Sequence, residues 1–249
     1  MNTVLETREV THTFGAVKAA ERLSVQLGLG QIVGIVGPNG SGKTTFVNIV
    51  TGYVKPARGQ VLFNGKDVTG LNPRQLAGLG ISRSFQVPQL YTHLSILENM
   101  LLALSIRAAQ HWQFWQPLKT QPTVDQAMRT LARFGFVNGV EQRVSTLPEG
   151  GRKLLDVALS FALDPTLLLL DEPTSGVSVD EKFGVMDTLV GVLKGSGMTA
   201  VFVEHDMDVV ERYADRVLVF SEGAILADGR PERVFASEEV RRHVLGEGV

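Results

Sequence analysis

The chain has 249 residues, of which 44% are hydrophobic and 20% charged, and its formal net charge at pH 7 is −2. These values are typical of a globular protein with a substantial core, in one large domain or two small ones. The charge gives no electrostatic footprint for nucleic acid, and the absence of cysteine excludes disulfides and thiolate metal sites. Near the N-terminus, Glu6, Arg8 and Glu9 interrupt any apolar run, so we expect no secretory signal. The longest apolar runs fall short of the ~20 residues that span a bilayer, so we expect a soluble protein.

In chain order, four apolar runs predict buried strands: Ile32–Val36, Leu167–Leu170, Ala200–Val203 and Val217–Phe220. Apolar residues recur at helical spacing in two other stretches, one with Val124, Met128 and Leu131 and one with Phe183, Met186, Val190 and Leu193. Strands that alternate with helices predict an α/β fold with a mainly parallel sheet.

Two regions depart from this alternation. Residues 3–30 and 57–68 have the pattern of short strands with turns, which predicts a small antiparallel sheet. Residues 88–163 have few strand signals and are predicted to be mostly helical, with a loop around Trp112 to Pro122. We therefore predict a single domain over 1–249. Residues 1–87 and 164–249 form its α/β core with an antiparallel β subdomain. A helical subdomain, residues 88–163, is inserted between these two parts.

The segment GPNGSGKTT, residues 37–45, matches the phosphate-binding loop pattern G-x-x-x-x-G-K-[ST]. Glycines allow backbone N–H groups to converge on phosphates, and the following helix presents its N-terminus to the same anion. Lys43 is expected to reach the β- and γ-phosphates, and the Thr44 hydroxyl to ligate Mg²⁺. The alternative is a glycine-rich turn, but the loop lies between a predicted strand and a predicted helix. The expected phosphate-contacting residues are Gly37, Pro38, Asn39, Gly40, Ser41, Gly42, Lys43, Thr44 and Thr45.

A second apolar run, Leu167–Leu170, ends in the carboxylates Asp171 and Glu172. Because ligands bind beyond the carboxyl ends of parallel strands, Asp171 is placed to hold Mg²⁺. Glu172 is placed to orient or deprotonate an attacking water. A buried strand that simply ends in charge is the alternative.

Two single polar residues also follow strand-like runs. Gln86 comes after residues 81–85 and is a candidate ligand for Mg²⁺ or for the attacking water. His205 comes after residues 199–204 and is a candidate contact for the γ-phosphate. A structural role is the alternative for both.

The four segments occur in the chain in the order Gly37–Thr45, Gln86, Leu167–Glu172 and His205. Together with Ser175, Gly176 and Asp180, they resemble the nucleotide-binding subunit of ABC transporters over essentially the whole chain. The resemblance implies a two-lobed P-loop ATPase in which two subunits sandwich two ATP molecules. It implies that Phe14 stacks on adenine, although a buried core phenylalanine is the alternative. It also implies that the loop with Ser175, Gly176 and Asp180 links the two sites across the dimer.

Within that family, residues 84–90, 204–207 and 238–247 are similar to the branched-chain amino acid importer type. Relatives of this type also serve urea, amides and aromatic acids. The resemblance implies integral membrane permease subunits, a second ATP-binding subunit and, indirectly, an extracytoplasmic solute-binding protein as partners. It places the chain at the cytoplasmic face of the inner (plasma) membrane as a peripheral subunit, with no nucleic acid partner. Two alternatives are a soluble non-transport ABC ATPase and a poorly hydrolysing regulatory nucleotide-binding subunit.

One segment departs from the family pattern. The family usually has Leu-Ser-Gly-Gly-Gln at the start of a helix, where it caps the γ-phosphate bound by the opposite subunit. Here the signature segment is Leu147, Pro148, Glu149, Gly150 and Gly151. Pro148 has neither a hydroxyl nor an N–H, and Glu149 adds a negative charge near an anion. Arg152 or Lys153 is expected to compensate in part, and the alternative is that backbone N–H groups carry the contact.

Three further stretches are candidate contact regions. The apolar residues Tyr91, Leu94, Ile96, Leu97, Met100 and Leu101 are candidates for a groove that receives a permease helix, with core packing as the alternative. The aromatic residues Trp112, Phe114 and Trp115 suggest an interface or local packing. The basic tail residues Arg241, Arg242 and His243 are expected to form a solvated face.

Overall fold

The computed structural model describes residues 2–84, 86, 88–109 and 119–242. The strands are β1 Thr3–Phe14, β2 Val17–Gly28, β3 Ile32–Val36, β4 Arg58–Phe63, β5 Lys66–Asp67, β6 Ile81–Ser84, β7 Leu167–Asp171, β8 Thr199–Val203, β9 Arg216–Ser221 and β10 Ala224–Gly229. The helices are α1 Lys43–Val50, α2 Pro73–Leu79, α3 Ile96–Ala109, α4 Gln121–Arg133, α5 Glu149–Ala162, α6 Val179–Ser196, α7 Met207–Tyr213, α8 Pro231–Phe235 and α9 Glu238–Val240.

The larger sheet has the strand order β10-β9-β3-β8-β7-β6. Its first five strands from the β6 edge pair in parallel, and β10 pairs antiparallel with β9. All five residues of β3 and of β8 are buried. Parallel strands covered on both faces are continuously apolar, which is why the four apolar runs predicted these strands correctly. The predicted α/β fold with a mainly parallel sheet is confirmed.

The smaller sheet has the order β2-β1-β4-β5 and is antiparallel throughout. Strands β1 and β2 have 12 residues each, so the expectation of short strands is wrong for this pair. Register shifts between Thr7 and Val10 and between Val10 and His12 interrupt the pairing of β1 with β2. Such irregularities bend and twist a strand, so one long strand can curve where several short ones were expected.

Among the described residues, the α-helices α3, α4 and α5 lie between β6 and β7 in the chain. Helix α4 begins at Gln121, and Thr120 caps it by accepting a hydrogen bond from Thr123 N–H. The predicted loop therefore does not extend to Pro122, because proline fits the first turn of a helix, where its missing N–H is not needed. The candidate aromatic residues Trp112, Phe114 and Trp115 lie outside the described residues, as does His243 of the tail.

Ile96, Leu97, Met100 and Leu101 are buried in the same cluster as Leu168 and Leu170 of β7. These four residues of α3 are core residues, so the alternative of core packing is correct for them and they do not line an open groove. The helical periodicity that suggested a docking face comes from packing against the rest of the molecule. Tyr91, just before this helix, is exposed.

In the part of the chain that the structure describes, we find no helix with the length and apolarity required to cross a bilayer.

Candidate functional site

The predicted phosphate loop follows β3 at the carboxyl edge of the larger sheet and ends at α1. Gly37 and Gly42 have φ values of 149° and 105°, in the region that favours glycine. A Cβ added at Gly37 would lie 2.3 Å from the Phe220 carbonyl oxygen, and one at Gly42 would lie 2.5 Å from the Ala19 carbonyl oxygen. The two glycines are therefore required by close backbone packing as well as by their dihedral angles.

Backbone hydrogen bonds link this loop to both sheets. The turn between β9 and β10 contributes Gly223, whose N–H donates to the Ser41 carbonyl at 2.9 Å. The Gly223 carbonyl in turn accepts from the N–H of Glu21 in β2 at 2.8 Å. The loop is thus fixed between the antiparallel sheet and the last hairpin of the parallel sheet, a bracing that the loop motif alone does not predict.

Lys43 is 5% exposed, and its Nζ donates to the carbonyl oxygens of Gly37 at 2.6 Å and Pro38 at 2.9 Å. Burial lowers the pKa of Lys43, while the charges of Glu172 and Asp171 oppose that shift. The Ser41 Oγ atom is buried and has no hydrogen-bond partner among the described residues. A partly desolvated cation and an unsatisfied hydroxyl at one loop fit an anion such as a phosphate, which would satisfy both.

The other loop residues line the open side. Pro38, Asn39, Gly40 and Thr44 are exposed, and Thr45 is half-buried. The side of the loop that faces away from the sheets therefore remains accessible to a ligand.

Two predicted site residues from separate segments, Gln86 and His205, contact a third, Glu172. The Glu172 carboxylate contacts His205 Nε2 at 2.8 Å through Oε1 and accepts from Gln86 Nε2 at 2.6 Å through Oε2. Glu172 itself has a φ of 49°, and its N–H donates to the Val203 carbonyl at 3.0 Å. The backbone turns immediately after β7, so Asp171 and Glu172 face different surroundings.

Asp171 pairs with Arg83 of the neighbouring strand β6, with a distance of 2.6 Å between Oδ2 and Nη2. Both side chains are mostly buried, and Arg83 also donates to Asn48 Oδ1 of α1 at 2.7 Å. This arginine was not predicted as a site residue, because a polar residue within a strand-like run carries no signal of its own. It supplies Asp171 with a positive partner from the protein itself.

We find no cluster of three or more His, Asp or Glu side chains that would hold a metal ion within the described ranges. A cation at this site would therefore depend on ligand oxygens from a bound phosphate. Mg²⁺ is usually bound in this way, with one or two carboxylates, substrate phosphates and water. Thr44 and Asp171 at the loop and the strand end suit that chemistry.

Phe14 ends β1 and is 54% exposed, so the alternative of a buried core phenylalanine is wrong. Its ring packs edge-on against His12, with 4.6 Å between ring centroids. The exposed face is available to a planar ligand.

The signature segment forms the start of α5, with Pro148 at the N-cap and no side-chain hydrogen bond there. Glu149 is the first helical residue, and its Oε2 atom lies 3.7 Å from Nη1 of Arg152. Arg152 also donates from Nη2 to the Ser145 carbonyl. Lys153 is buried and points to the inside of the protein. The expectation that Lys153 compensates Glu149 at an outside anion is therefore wrong.

The loop predicted to lie at a dimer interface follows Glu172 directly. Gly176 is exposed with a φ of 78°, Ser175 is half-buried, and Asp180 lies in the first turn of α6. Thr174 donates its N–H and Oγ1–H to the buried Glu204 carboxylate at 2.9 and 2.7 Å. Sequence reasoning missed this link between the loop and the residue before His205.

The family model described as ABC transporter matches residues 20–175 of the chain. The chain belongs to the ABC transporter family. Its matched region includes the phosphate loop, Gln86, the signature segment and the Asp171–Glu172 pair, so the family match covers most of the site described above.

Similar proteins include the probable branched-chain amino acid transport ATP-binding protein LivG of Archaeoglobus fulgidus. It is 34% identical over 98% of this chain and 95% of its own length. The LivG protein of Escherichia coli K12 is 32% identical over 94% of each chain. Among solved structures, the ADP conformation of an ATP-binding cassette of an ABC transporter has 30% identity and a TM-score of 0.86. That match covers 99% of this chain and 100% of the other.

These similarities extend over the full ATP-binding cassette. The chain is an ATP-binding ABC ATPase subunit, and its two sheets and helices have the fold of solved cassettes.

Proposed function

We propose that this ABC ATPase powers the uptake of a branched-chain amino acid or a related amide, urea or organic acid. The relatives with the LivG name support the solute class. The observation that carries the catalytic proposal is the position of Glu172, which is held between Gln86 and His205 beside the phosphate loop. This arrangement suits a carboxylate that orients water for attack on the terminal phosphate.

In the proposed ATP complex, Phe14 stacks on the adenine ring and residues 37–45 surround the phosphates. Lys43 exchanges its bonds to the loop carbonyls for bonds to the β- and γ-phosphates. Because an anion stabilises the ammonium, ATP binding raises the pKa of Lys43 from its lowered value. The loop backbone is already braced by both sheets, so little ordering is needed on binding.

The residues proposed to hold Mg²⁺ are Thr44, Asp171 and Gln86. When bound, the ion neutralises charge on the β- and γ-phosphate oxygens. Arg83 fixes the orientation of the Asp171 carboxylate by donating to its Oδ2 atom. Gln86 is placed to contribute its amide oxygen, because its amide nitrogen already binds Glu172.

Hydrolysis breaks the bond between the γ-phosphorus and the bridging oxygen, and the water oxygen becomes part of inorganic phosphate. Glu172 accepts a hydrogen bond or the proton of the attacking water, and His205 contacts the γ-phosphate and holds the Glu172 carboxylate. Lys43 stabilises charge on the phosphate oxygens. Catalysis is then mainly positioning and electrostatic stabilisation.

The proposed partners are integral membrane permease subunits, a second ATP-binding subunit and, indirectly, an extracytoplasmic solute-binding protein. In such an assembly the chain is peripheral, at the cytoplasmic face of the inner membrane, with the helical subdomain 88–163 towards the permease. Exposed Tyr91 lies at the start of that subdomain and offers an apolar contact. Leu147–Gly151, Ser175, Gly176 and Asp180 face the second ATP-binding subunit, whose ATP the signature segment contacts.

The catalytic proposal is tested by the Mg-ATP hydrolysis rate of the purified chain and of Glu172→Gln. We expect the variant to bind ATP with similar affinity and to lose about a hundredfold or more in kcat, because a neutral amide cannot take the proton of the attacking water. Glu211→Gln, which changes an exposed carboxylate of α7, is the matched control and should keep the parent rate. Equal rates in Glu172→Gln and the parent would contradict the assigned role.

Binding of ATP without hydrolysis by the parent chain, and also in its assembled complex, would favour the poorly hydrolysing regulatory subunit instead. The solute class has its own test. Cells that depend on this chain should lose uptake of labelled branched-chain amino acids when its gene is deleted. Unchanged uptake would exclude that solute class.

A further inference from the structure

Lys153 of α5 is a buried lysine at the centre of the site. It is 4% exposed, and its Nζ donates to two main-chain carbonyl oxygens, those of Gln86 and of Glu172, the latter at 3.2 Å. A buried ammonium is costly unless its donors are paired, so its position is fixed by these bonds. The same cation thus binds the backbone of two residues whose side chains also bind each other.

A second residue of the same helix holds the same connection. Asp156, one turn after Lys153, is buried, and its Oδ1 accepts from the N–H of Gln89 at 3.1 Å. Helix α5 therefore binds the Gln86 carbonyl through Lys153 and the Gln89 N–H through Asp156. These contacts fix Gln86 and Gln89 relative to α5.

The contact with the Glu172 carbonyl acts on an unusual backbone. Glu172 has a φ of 49°, a conformation that costs a residue other than glycine about 1–3 kcal/mol and persists only when its surroundings fix it. The Val203 carbonyl accepts from its N–H, and Lys153 donates to its carbonyl oxygen. The direction of the Glu172 side chain thus depends on both bonds.

The carboxylates around Lys153 make its positive charge important to the site. Burial lowers the pKa of Lys153, and four carboxylates, those of Glu149, Asp156, Glu172 and Glu204, oppose that shift. Removal of the cation would leave Glu172 and Glu204 without its compensation in a partly dry site. A neutral donor of the same reach would restore the hydrogen bonds but not the charge.

We propose that Lys153 is a positioning residue for ATP hydrolysis, which acts through the main chains of Gln86 and Glu172. It fixes the position of these two side chains relative to each other and thereby relative to the attacking water. The inference rests on the proposed role of Glu172 and adds a residue whose Nζ donates to main-chain carbonyl oxygens. Its expected effect is therefore on the rate of hydrolysis and not on ATP affinity.

The test compares Lys153→Met with the parent in the full chain, by kcat and KM for Mg-ATP and by the Kd of a fluorescent ATP analogue. We expect kcat to fall about tenfold to a hundredfold, as misplacement of a reacting group does, and Kd to stay within about threefold. Lys153→Arg, which keeps charge and donors, should recover part of kcat. Lys194→Met removes an exposed lysine of α6 and should behave as the parent.

An unchanged kcat in Lys153→Met would overturn the proposal, as would a parallel loss of kcat and ATP affinity, which indicates general damage to the site. If Lys153→Met does not fold, Lys153→Arg is compared with Lys153→Gln, and a higher kcat in the glutamine variant would also overturn it. Glu172→Gln separates the two proposals. If that variant hydrolyses ATP normally, the role of Glu172 fails; if it is inactive while Lys153→Met is not, only the present inference fails.

Discussion

At the scale of single residues, Glu204 links the loop that contains Thr174 to His205. Its side chain is 4% exposed, accepts from Thr174 N–H and Oγ1–H, and accepts from His205 N–H at 3.3 Å. Burial raises the pKa of Glu204, although these hydrogen bonds oppose the shift. The carboxylate therefore imposes a cost on the folded state at neutral pH, and it fixes Thr174 relative to His205.

Glu204→Gln tests this cost through pH. Because the folded pKa lies above the ordinary value of 4.5, the contribution of Glu204 to stability is present below pH 4.5 and is lost as pH rises through the folded pKa. The variant does not titrate there. We expect the free energy of unfolding of the parent, relative to the variant, to fall with increasing pH by at most about 1.4 kcal/mol per pH unit.

Urea unfolding of both proteins between pH 4.5 and 8 measures this difference. Glu232→Gln, at an exposed position in α8, is the control and should run parallel to the parent. A constant difference between the parent and Glu204→Gln across this range would show that burial does not shift the titration of Glu204.

At the scale of elements, the phosphate loop depends on the space that two glycines leave. Gly42→Ala places a Cβ at a φ of 105° and 2.5 Å from the Ala19 carbonyl oxygen of β2, so either the loop or the strand must move. We expect ATP affinity to fall at least tenfold and the stability of the free protein to fall by about 1–3 kcal/mol. A fluorescent ATP analogue and thermal unfolding measure the two effects.

Gly40→Ala is the matched control for this clash. Its φ is 78°, but an added Cβ would meet no heavy atom within 4 Å, so it has the strain without the collision. A Gly42→Ala protein that loses no more affinity than Gly40→Ala would show that the contact with β2 does not constrain the loop.

The elements differ in how far the sequence predicted them. Strands β3, β7, β8 and β9 were predicted because strands buried on both faces are apolar throughout. The length of β1 and β2 was not, because irregular pairing breaks the alternation on which a strand prediction depends. For the α3 residues both a groove and core packing were left open, since periodicity shows that one face is apolar but not what covers it.

The site shows the same division. Loop residues 37–45, Asp171 and Glu172 were found from motif and strand ends, and Gln86 and His205 from their places after strands. Lys153 was expected, as an alternative to Arg152, to compensate in part for Glu149 at the anion, but it is buried and donates to the Glu172 carbonyl. A signal was present in its spacing, since Gly150, Lys153 and Val157 recur at helical intervals and all three are buried.

At the scale of the whole molecule, the start of α5 bears on how two ATP-binding subunits share their sites. Pro148 caps the helix without a side-chain hydrogen bond, and Glu149 precedes the buried Gly150. If this chain pairs with a different ATPase subunit, the ATP of that partner faces Pro148 and Glu149. That site then lacks a hydroxyl donor and is the slower of the two.

Pro148→Ser adds a hydroxyl at the cap. We expect it to raise kcat of the assembled complex several-fold, and to stabilise the chain by about 0.5–2 kcal/mol through the new cap. The ATPase rate of the complex and thermal unfolding of the chain measure these effects. Pro148→Ala restores the N–H without the hydroxyl, so equal rates in the serine and alanine variants would remove the hydroxyl from the explanation.

The position of β3 in the sheet has a consequence for the making of the protein. This strand and its phosphate loop are synthesised within the first 45 residues, but the neighbours of β3 are β8 and β9, and the turn that braces the loop contains Gly223. Pairing across such sequence distances must wait for the late segments, because the closing loop is long. We therefore expect the early nucleotide motif to stay unformed on the ribosome until the segment with Gly223 has emerged, so that an incomplete chain binds no ATP.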